Sequence, residues 1–311
     1  MRKLPLLCLL LLGSLASGED RSEAIRQYLS AKFPAKIERV AVEAETISVT
    51  GTSGSSEGVF LAKVPVWKDL SDPNRFVDPV PVEVKGSRFS LTLPRKNDLT
   101  SRWQLVGKSG DGFAPLSAMR YADDVPCRDP QLPAAKPKSK KGLGGWNAGR
   151  IPGELQELGI SAVTVNVMLN PLVSLQPAAD TFPIQWNGRT YHARESALAP
   201  LDETFREAER NGVMVSAILL VGNPAKNPDE ITRLLGHPDA TKDGHFAMPN
   251  LTSEKGASIY GAILNLMAER WSKAGGPHGR VHHWIMHNEV DAGWEWTNAG
   301  TKSAEEYMDL Y

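Results

Sequence analysis

The chain has 311 residues, about two domains' worth. Its 41% hydrophobic and 23% charged residues are ordinary for a folded protein. The 35 Lys and Arg against 36 Asp and Glu give a formal charge of -1, which argues against a global electrostatic grip on nucleic acid or an anionic membrane. Two cysteines exclude a disulfide scaffold and a cysteine-based zinc module.

The first residues have the order of a secretory signal peptide: Arg2 and Lys3, an apolar run from Leu4 to Leu12, then small residues to Gly18. Cleavage near Ala16 to Gly18 would remove Cys8, leave Cys127 as the only mature cysteine, and give a secreted or periplasmic protein. The apolar run is too short to span a bilayer, and no later stretch is long enough, so no membrane span is expected.

A short amphipathic helix is expected over residues 19–34, where Ile25, Tyr28 and Leu29 fall at helical spacing and Pro34 stops the run. Short runs rich in Val, Ile, Thr and Phe follow: Ala44–Thr50, Val59–Trp67, Pro79–Val84, Arg88–Leu93 and Arg102–Val106. Turn-formers such as Asp72-Pro73-Asn74 and Lys85-Gly86-Ser87 separate them, which predicts an antiparallel β-sandwich over residues 35–128. Residues 129–141, rich in Pro, Ala and Lys, read as an exposed linker.

After the linker the period changes. A short apolar segment, Leu143–Trp146, leads to a helix over Ile151–Leu158, then to a near-continuous apolar run, Ser161–Leu169, that reads as a buried parallel strand. A helix over Leu198–Arg210, a strand over Val213–Val221, a helix over Ser258–Trp271 and a strand over Arg280–Met286 follow; a last helix begins at Ser303. Alternating strands and helices demand parallel strands with right-handed crossovers, in an open doubly wound sheet or a closed barrel. No Gly-x-Gly-x-x-Gly or phosphate-binding Gly-Lys-Ser/Thr is present, which favours the barrel. The fold class expected is α/β plus all-β: a β-sandwich-like unit, then the first four β/α units of a TIM barrel over residues 142–311.

Four segments carry a family resemblance. Lys141-Gly142-Leu143-Gly144-Gly145-Trp146, Leu155–Val163, Ala208–Val215 and Trp284-Ile285-Met286-His287-Asn288-Glu289 resemble the first helix and first four strands of a clan A glycoside hydrolase, a retaining (β/α)8 barrel. The resemblance covers about residues 141–311. Thr164 stands where many clan members have Arg, the third strand ends without the His often found there, and Val290 follows the glutamate in place of Pro.

In such barrels chemistry sits at the carboxyl ends of the strands. The resemblance makes Glu289 the general acid/base and Asn288 the partner of the sugar 2-hydroxyl. The reaction needs a carboxyl that holds its proton near neutral pH, so Glu289 is expected half-buried against aromatic rings. Trp294 and Trp296 would supply that wall and a stacking face; Trp146, His287 and Asn166 complete the expected substrate contacts. Asn170, at the same strand end as Asn166, is as readily a cap. Trp186-Asn187-Gly188, with Tyr191 and His192, reads as a substrate-facing loop or a structural hairpin. His282, His283, His287 and Glu289 invite a metal reading, but their spacing fits no metal motif, so no metal or other cofactor is expected.

The expected partner is a carbohydrate; nucleic acid is not expected, and the sequence carries no signal for oligomeric state. A barrel takes about 250 residues. About 170 follow the linker, so the nucleophile, a Glu on the seventh strand in the clan, is expected beyond Tyr311. The alternatives are a non-catalytic carbohydrate-binding protein or inactive fragment, and a secreted metalloprotein.

Overall fold

The computed structural model describes residues 18–96, 100–125, 132 and 134–311. Most of the signal segment, both cysteines and most of the expected linker's first half lie outside them. The fold is mixed, with several antiparallel sheets and one parallel sheet.

Helix α1 (Gly18–Ser30) opens the described chain. Eight strands follow: β1 (Ala35–Val42), β2 (Thr46–Ser53), β3 (Val59–Val64), β4 (Val77–Pro81), β5 (Val84–Lys85), β6 (Arg88–Pro94), β7 (Arg102–Ser109) and β8 (Gly112–Pro115). They form two antiparallel four-stranded sheets, ordered β1-β2-β6-β5 and β4-β3-β7-β8. Ile47 and Val49 from the first sheet and Leu61, Trp103 and Leu105 from the second share one core. Period-2 alternation is what places them there: along β2 every second residue is buried.

The segment before the parallel sheet is exposed but tied down. Ser139 donates from its backbone to Ser161 Oγ at 2.9 Å, and its hydroxyl donates to the Gly159 carbonyl at 3.1 Å.

The parallel sheet contains β9 (Gly142–Leu143), β10 (Ala162–Met168), β14 (Met214–Leu220) and β15 (His283–Ile285), ordered β15-β14-β10-β9. Between β9 and β10 lies α2 (Glu154–Glu157), one turn where two were expected; the chain reaches it through Gly153 at φ 80°. Between β10 and β14 come β11 (Val173–Ser174), the hairpin β12 (Thr181–Trp186) and β13 (Arg189–Arg194), and α3 (Glu195–Arg210). The hairpin turns on Asn187 and Gly188, both at positive φ, as a tight two-residue turn requires. It packs its Trp186 ring against Gly261, where a Cβ would lie 2.8 Å from the indole. Between β14 and β15 come α4 (Glu230–Leu235), which the sequence reading did not anticipate, and α5 (Glu254–Trp271). Helix α5 starts four residues earlier than expected because Ser253 caps it, accepting from Gly256 N at 3.1 Å. The chain closes with α6 (Gly293–Trp296) and α7 (Ala304–Leu310), the latter opened by a capping box of Ser303 and Glu306.

The strands of this sheet are neighbours in sequence order, with no point at which the order reverses. One face is packed: Val163, Val165 and Val167 of β10 and Val215, Ala217 and Leu219 of β14 meet Leu198 and Phe205 of α3 and Ile263 and Trp271 of α5. The other face is not. Thr164, Ser216 and Ile218 are half-buried, and Asn166, His283 and Ile285 are exposed. The expectation of strands buried on both sides is corrected here: β10 and β14 alternate, burying their odd-numbered positions, with Leu220 at the end of β14 buried as well.

Candidate functional site

The carboxyl ends of β10, β14 and β15 are braced by asparagines. Asn170 accepts from Gly222 N at 2.6 Å and donates to Thr232 Oγ1 at 3.0 Å, tying the end of β10 to that of β14 and to α4. Of its two sequence readings, bracing is the role the geometry gives it. Asn223 is buried and donates to the carbonyls of Thr241 and Gly244, both at 2.8 Å. Asn298, also buried, accepts from Thr241 N at 2.8 Å and donates to the Trp294 carbonyl at 2.7 Å. The loop after β14 and helix α6, which carries Trp294, are therefore held to one another. Asn223 and Asn298 also accept from the backbone two residues on, at Ala225 and Gly300, but their bonds to Thr241 and Gly244 span 18 to 57 residues, and the sequence does not mark those partners.

Strand β15 stops at Ile285, and the four residues after it leave extended geometry. His287 sits at φ 66° and Glu289 at φ 38°, both in the left-handed region that costs a side-chain-bearing residue energy. Strict two-residue alternation carried on from β15 would put His283, His287 and Glu289 on one face. The positive φ values break that alternation: His287 is buried, while His283 and Glu289 are exposed.

His287 is thus not a ligand at a pocket rim. It is 7% exposed, and both ring nitrogens are engaged by tyrosines. The Tyr311 hydroxyl donates its proton to the Met286 carbonyl. At the 3.1 Å contact between Tyr311 Oη and His287 Nδ1 the imidazole must therefore be the donor. That leaves Nε2 bare, and the Tyr260 hydroxyl donates to it at 3.1 Å. The ring also stacks on Tyr260, with centroids 6.0 Å apart. Burial pushes the imidazole down to about 4 and raises the Tyr260 hydroxyl, so His287 is neutral at physiological pH. This cluster fixes the start of the turn that carries Asn288 and Glu289. Neither tyrosine was singled out from the sequence as a partner of His287.

Glu289 is exposed, and its side chain has no hydrogen bond or ion pair to the described residues. The expected half-burial against aromatic rings is absent among the described residues. Asn288 is half-buried, and its side chain is likewise free of partners among the described residues. Trp294, in α6, is 71% exposed and presents an open indole. Trp296 is half-buried, with one face stacked on Phe246 at 5.4 Å and 12°. Asn166 lies on the open face of the sheet, exposed, between buried Val165 and Val167. Trp146 is 3% exposed and belongs to the core under the helices, so it offers no stacking face; this expectation is corrected. Thr164, where the resemblance led one to look for Arg, accepts from Gly145 N at 3.0 Å and stitches the end of β9 to β10.

The histidines near Glu289 go separate ways. His282 Nδ1 accepts from Val215 N at 3.1 Å, and His283 Nδ1 meets Ser216 Oγ at 3.2 Å. Among the described residues no three of His, Cys, Asp and Glu are grouped to hold a metal ion. None of the described helices is long and apolar enough to cross a membrane.

Behind the sheet, Asp202 of α3 organises the helix layer. It is 3% exposed and accepts from Arg270 Nε (2.9 Å) and Nη2 (2.6 Å), from Trp271 Nε1 (2.7 Å) and, at 2.8 Å, from His278 Nδ1. Burial pushes its carboxyl up, but the Arg270 guanidinium and the Trp271 indole outweigh burial and hold it below the usual carboxylate range.

Residues 133–311 match a family described as a family of unknown function (DUF5722), and the chain belongs to that family. The match takes in the whole parallel-sheet unit and leaves out the two antiparallel sheets before it. No curated protein and no solved structure matches the chain.

Proposed function

We propose that the protein is a secreted glycoside hydrolase-like protein that acts on a poly- or oligosaccharide by a retaining mechanism. In this reading β9, β10, β14 and β15 are the first four strands of a (β/α)8 barrel. Two features support that assignment: the strands are ordered as in the sequence, and helices cover one face only. A barrel wall has helices outside and its inner face turned to the barrel's other strands. The observation that carries the functional reading is Glu289, an unpaired carboxylate at the end of the fourth strand, held there by backbone in the left-handed region. Strained residues persist where surrounding structure over-determines them, and they concentrate at functional sites.

Glu289 is the general acid/base, donating a proton to the leaving oxygen and then accepting one from water. Asn288 holds the sugar 2-hydroxyl, and the open ring of Trp294 stacks on a sugar face. Retention needs a second carboxylate about 5 to 5.5 Å from the first, as nucleophile. In this reading it belongs to the strands that close against the open face of the sheet.

The test is turnover of a panel of oligosaccharides by the secreted protein, wild type against Glu289→Gln. Loss of a general acid/base should cost about 10²- to 10⁴-fold in rate with binding retained. Equal turnover by both proteins sinks the assignment of Glu289. A second reading, carbohydrate binding without catalysis, is favoured by one observation: Glu289 lies exposed, without an apolar wall. It predicts glycan binding by both proteins and turnover by neither.

A further inference from the structure

A second concavity lies where the insertions after β10 and β14 meet. The hairpin β12–β13, helix α4 and the first turns of α5 enclose a cleft of about 630 Å³, well within the usual size of ligand sites. Its floor is apolar, built from Leu175, Leu234 and Ile259. The Tyr191 ring backs it, with its hydroxyl anchored to Ser258 Oγ at 2.8 Å.

Its rim is cationic. Arg189 is neutralised by Glu254. Arg233 and Lys255 are exposed, and their side chains have no hydrogen bond or ion pair to any described residue. Lys255 also stands in the first turn of the 18-residue helix α5, where a cation works against the helix dipole. An anion in the cleft would meet Arg233, Lys255 and the positive end of α5 together. One carboxylate shares the lining, Glu230, and it too is exposed and unpaired. A plain organic acid would be repelled by it. A ligand that carries hydroxyl donors as well as carboxylates would give Glu230 the hydrogen bonds it lacks. Sugar rings add an apolar C–H face for the floor.

We propose that this cleft binds an acidic oligosaccharide, its carboxylates against Arg233 and Lys255, a sugar hydroxyl on Glu230 and a ring face on Leu234 and Ile259. The site stands on this geometry and does not depend on Glu289 or on hydrolysis.

The experiment is calorimetric titration of the full chain with trigalacturonate, and with the same trisaccharide whose carboxylates are reduced to alcohols. Wild type should bind the acid form, more weakly as salt is raised, and bind the reduced form at least tenfold more weakly. Arg233→Gln/Lys255→Gln should lose at least tenfold in affinity for the acid form. Lys273→Gln, an exposed cation beyond the far end of α5, should bind as wild type. Benzoate should fail to compete. The proposal is overturned if the double variant matches wild type, if the reduced trisaccharide binds equally well, if benzoate competes as well as trigalacturonate, or if no binding is seen. The arm with reduced sugar uses wild-type protein, so it decides even where the double variant folds poorly. Because the readout is binding, its failure leaves the Glu289 reading untouched.

Discussion

Replacing His287 by Phe keeps a ring between Tyr260 and Tyr311 and removes both of its hydrogen-bonding nitrogens. The Tyr260 hydroxyl, on a residue 7% exposed, then loses its acceptor, which costs about 1–3 kcal/mol. Losing the Nδ1–H donation to Tyr311 removes about 1 kcal/mol more. Tyr311 itself keeps its bond to the Met286 carbonyl. The variant should therefore be about 2–4 kcal/mol less stable than wild type at neutral pH. The pH dependence is the sharper part. Burial holds folded His287 at about 4 against an ordinary 6.5, so as pH falls through 6.5 the unfolded chain takes up this proton first. Wild-type stability from this residue is present above pH 6.5 and drains away down to about pH 4, by about 3 kcal/mol in all. Phe does not titrate. His237 and His282, also pushed down to about 4 by burial, titrate in both proteins and cancel in the difference. The gap between wild type and variant, measured by urea unfolding at a series of pH values, should shrink to near zero at about pH 4. A gap that holds constant from pH 7 to pH 4 would refute the buried, neutral imidazole.

Asp202→Ala should be the more damaging change: it strips the bidentate partner from Arg270, whose side chain is 10% exposed, and leaves only exposed Glu195. A loss of about 3–5 kcal/mol in chemical unfolding is expected, and a loss below 1 kcal/mol would show that the cluster adds little. Trp294→Ala should change stability by less than about 0.5 kcal/mol, since the ring is 71% exposed. Under the proposed function it should weaken retention on immobilised glycan at least tenfold; retention equal to wild type removes Trp294 from the site.

Much of the parallel unit was legible because its strands and helices advertise their period. Val163, Val165 and Val167 alternate with Thr164 and Asn166, and Leu198, Phe205 and Ala208 recur at helical spacing. The same alternation, read strictly, already said that one face of β10 is polar, yet the run of apolar letters suggested burial on both sides. What failed was extrapolation past a strand end. Counting twos from His283 puts His287 on the open face, whereas its own positive φ breaks the count and the ring lies buried. Trp146, expected as a substrate contact, instead belongs to the core cluster under the helices, a burial that its glycine-rich neighbours do not announce. Helix α4, six residues long, is too short to display a period, and its cap is set by Asp229 accepting from Thr232 N at 3.0 Å. Asn170 is legible as a cap at a strand end, whereas Asn223 and Asn298 are not, because the loop carbonyls and amides they join lie 18 to 57 residues away.

The turn at Glu289 joins energetics to function in a way that can be tested without a substrate. A left-handed residue with a side chain costs about 1–2 kcal/mol, and Glu289 bears that at φ 38° and ψ 60° while its own side chain makes no bond to the described residues. Glycine removes the steric cost but loses more entropy on folding, about 0.5–1 kcal/mol. Glu289→Gly should therefore stabilise the fold by roughly 0.5–1 kcal/mol. Glu289→Gln keeps the strain and should leave stability within about 0.5 kcal/mol of wild type. Under the proposed function the strained position carries the acid/base carboxylate, and the cost of the strain is the trade between stability and activity that a catalytic position makes. Thermal melts of the three proteins decide the matter. A fall in the melting point of Glu289→Gly would mean that the side chain is held in place by packing, and the argument from strain to function would fail with it.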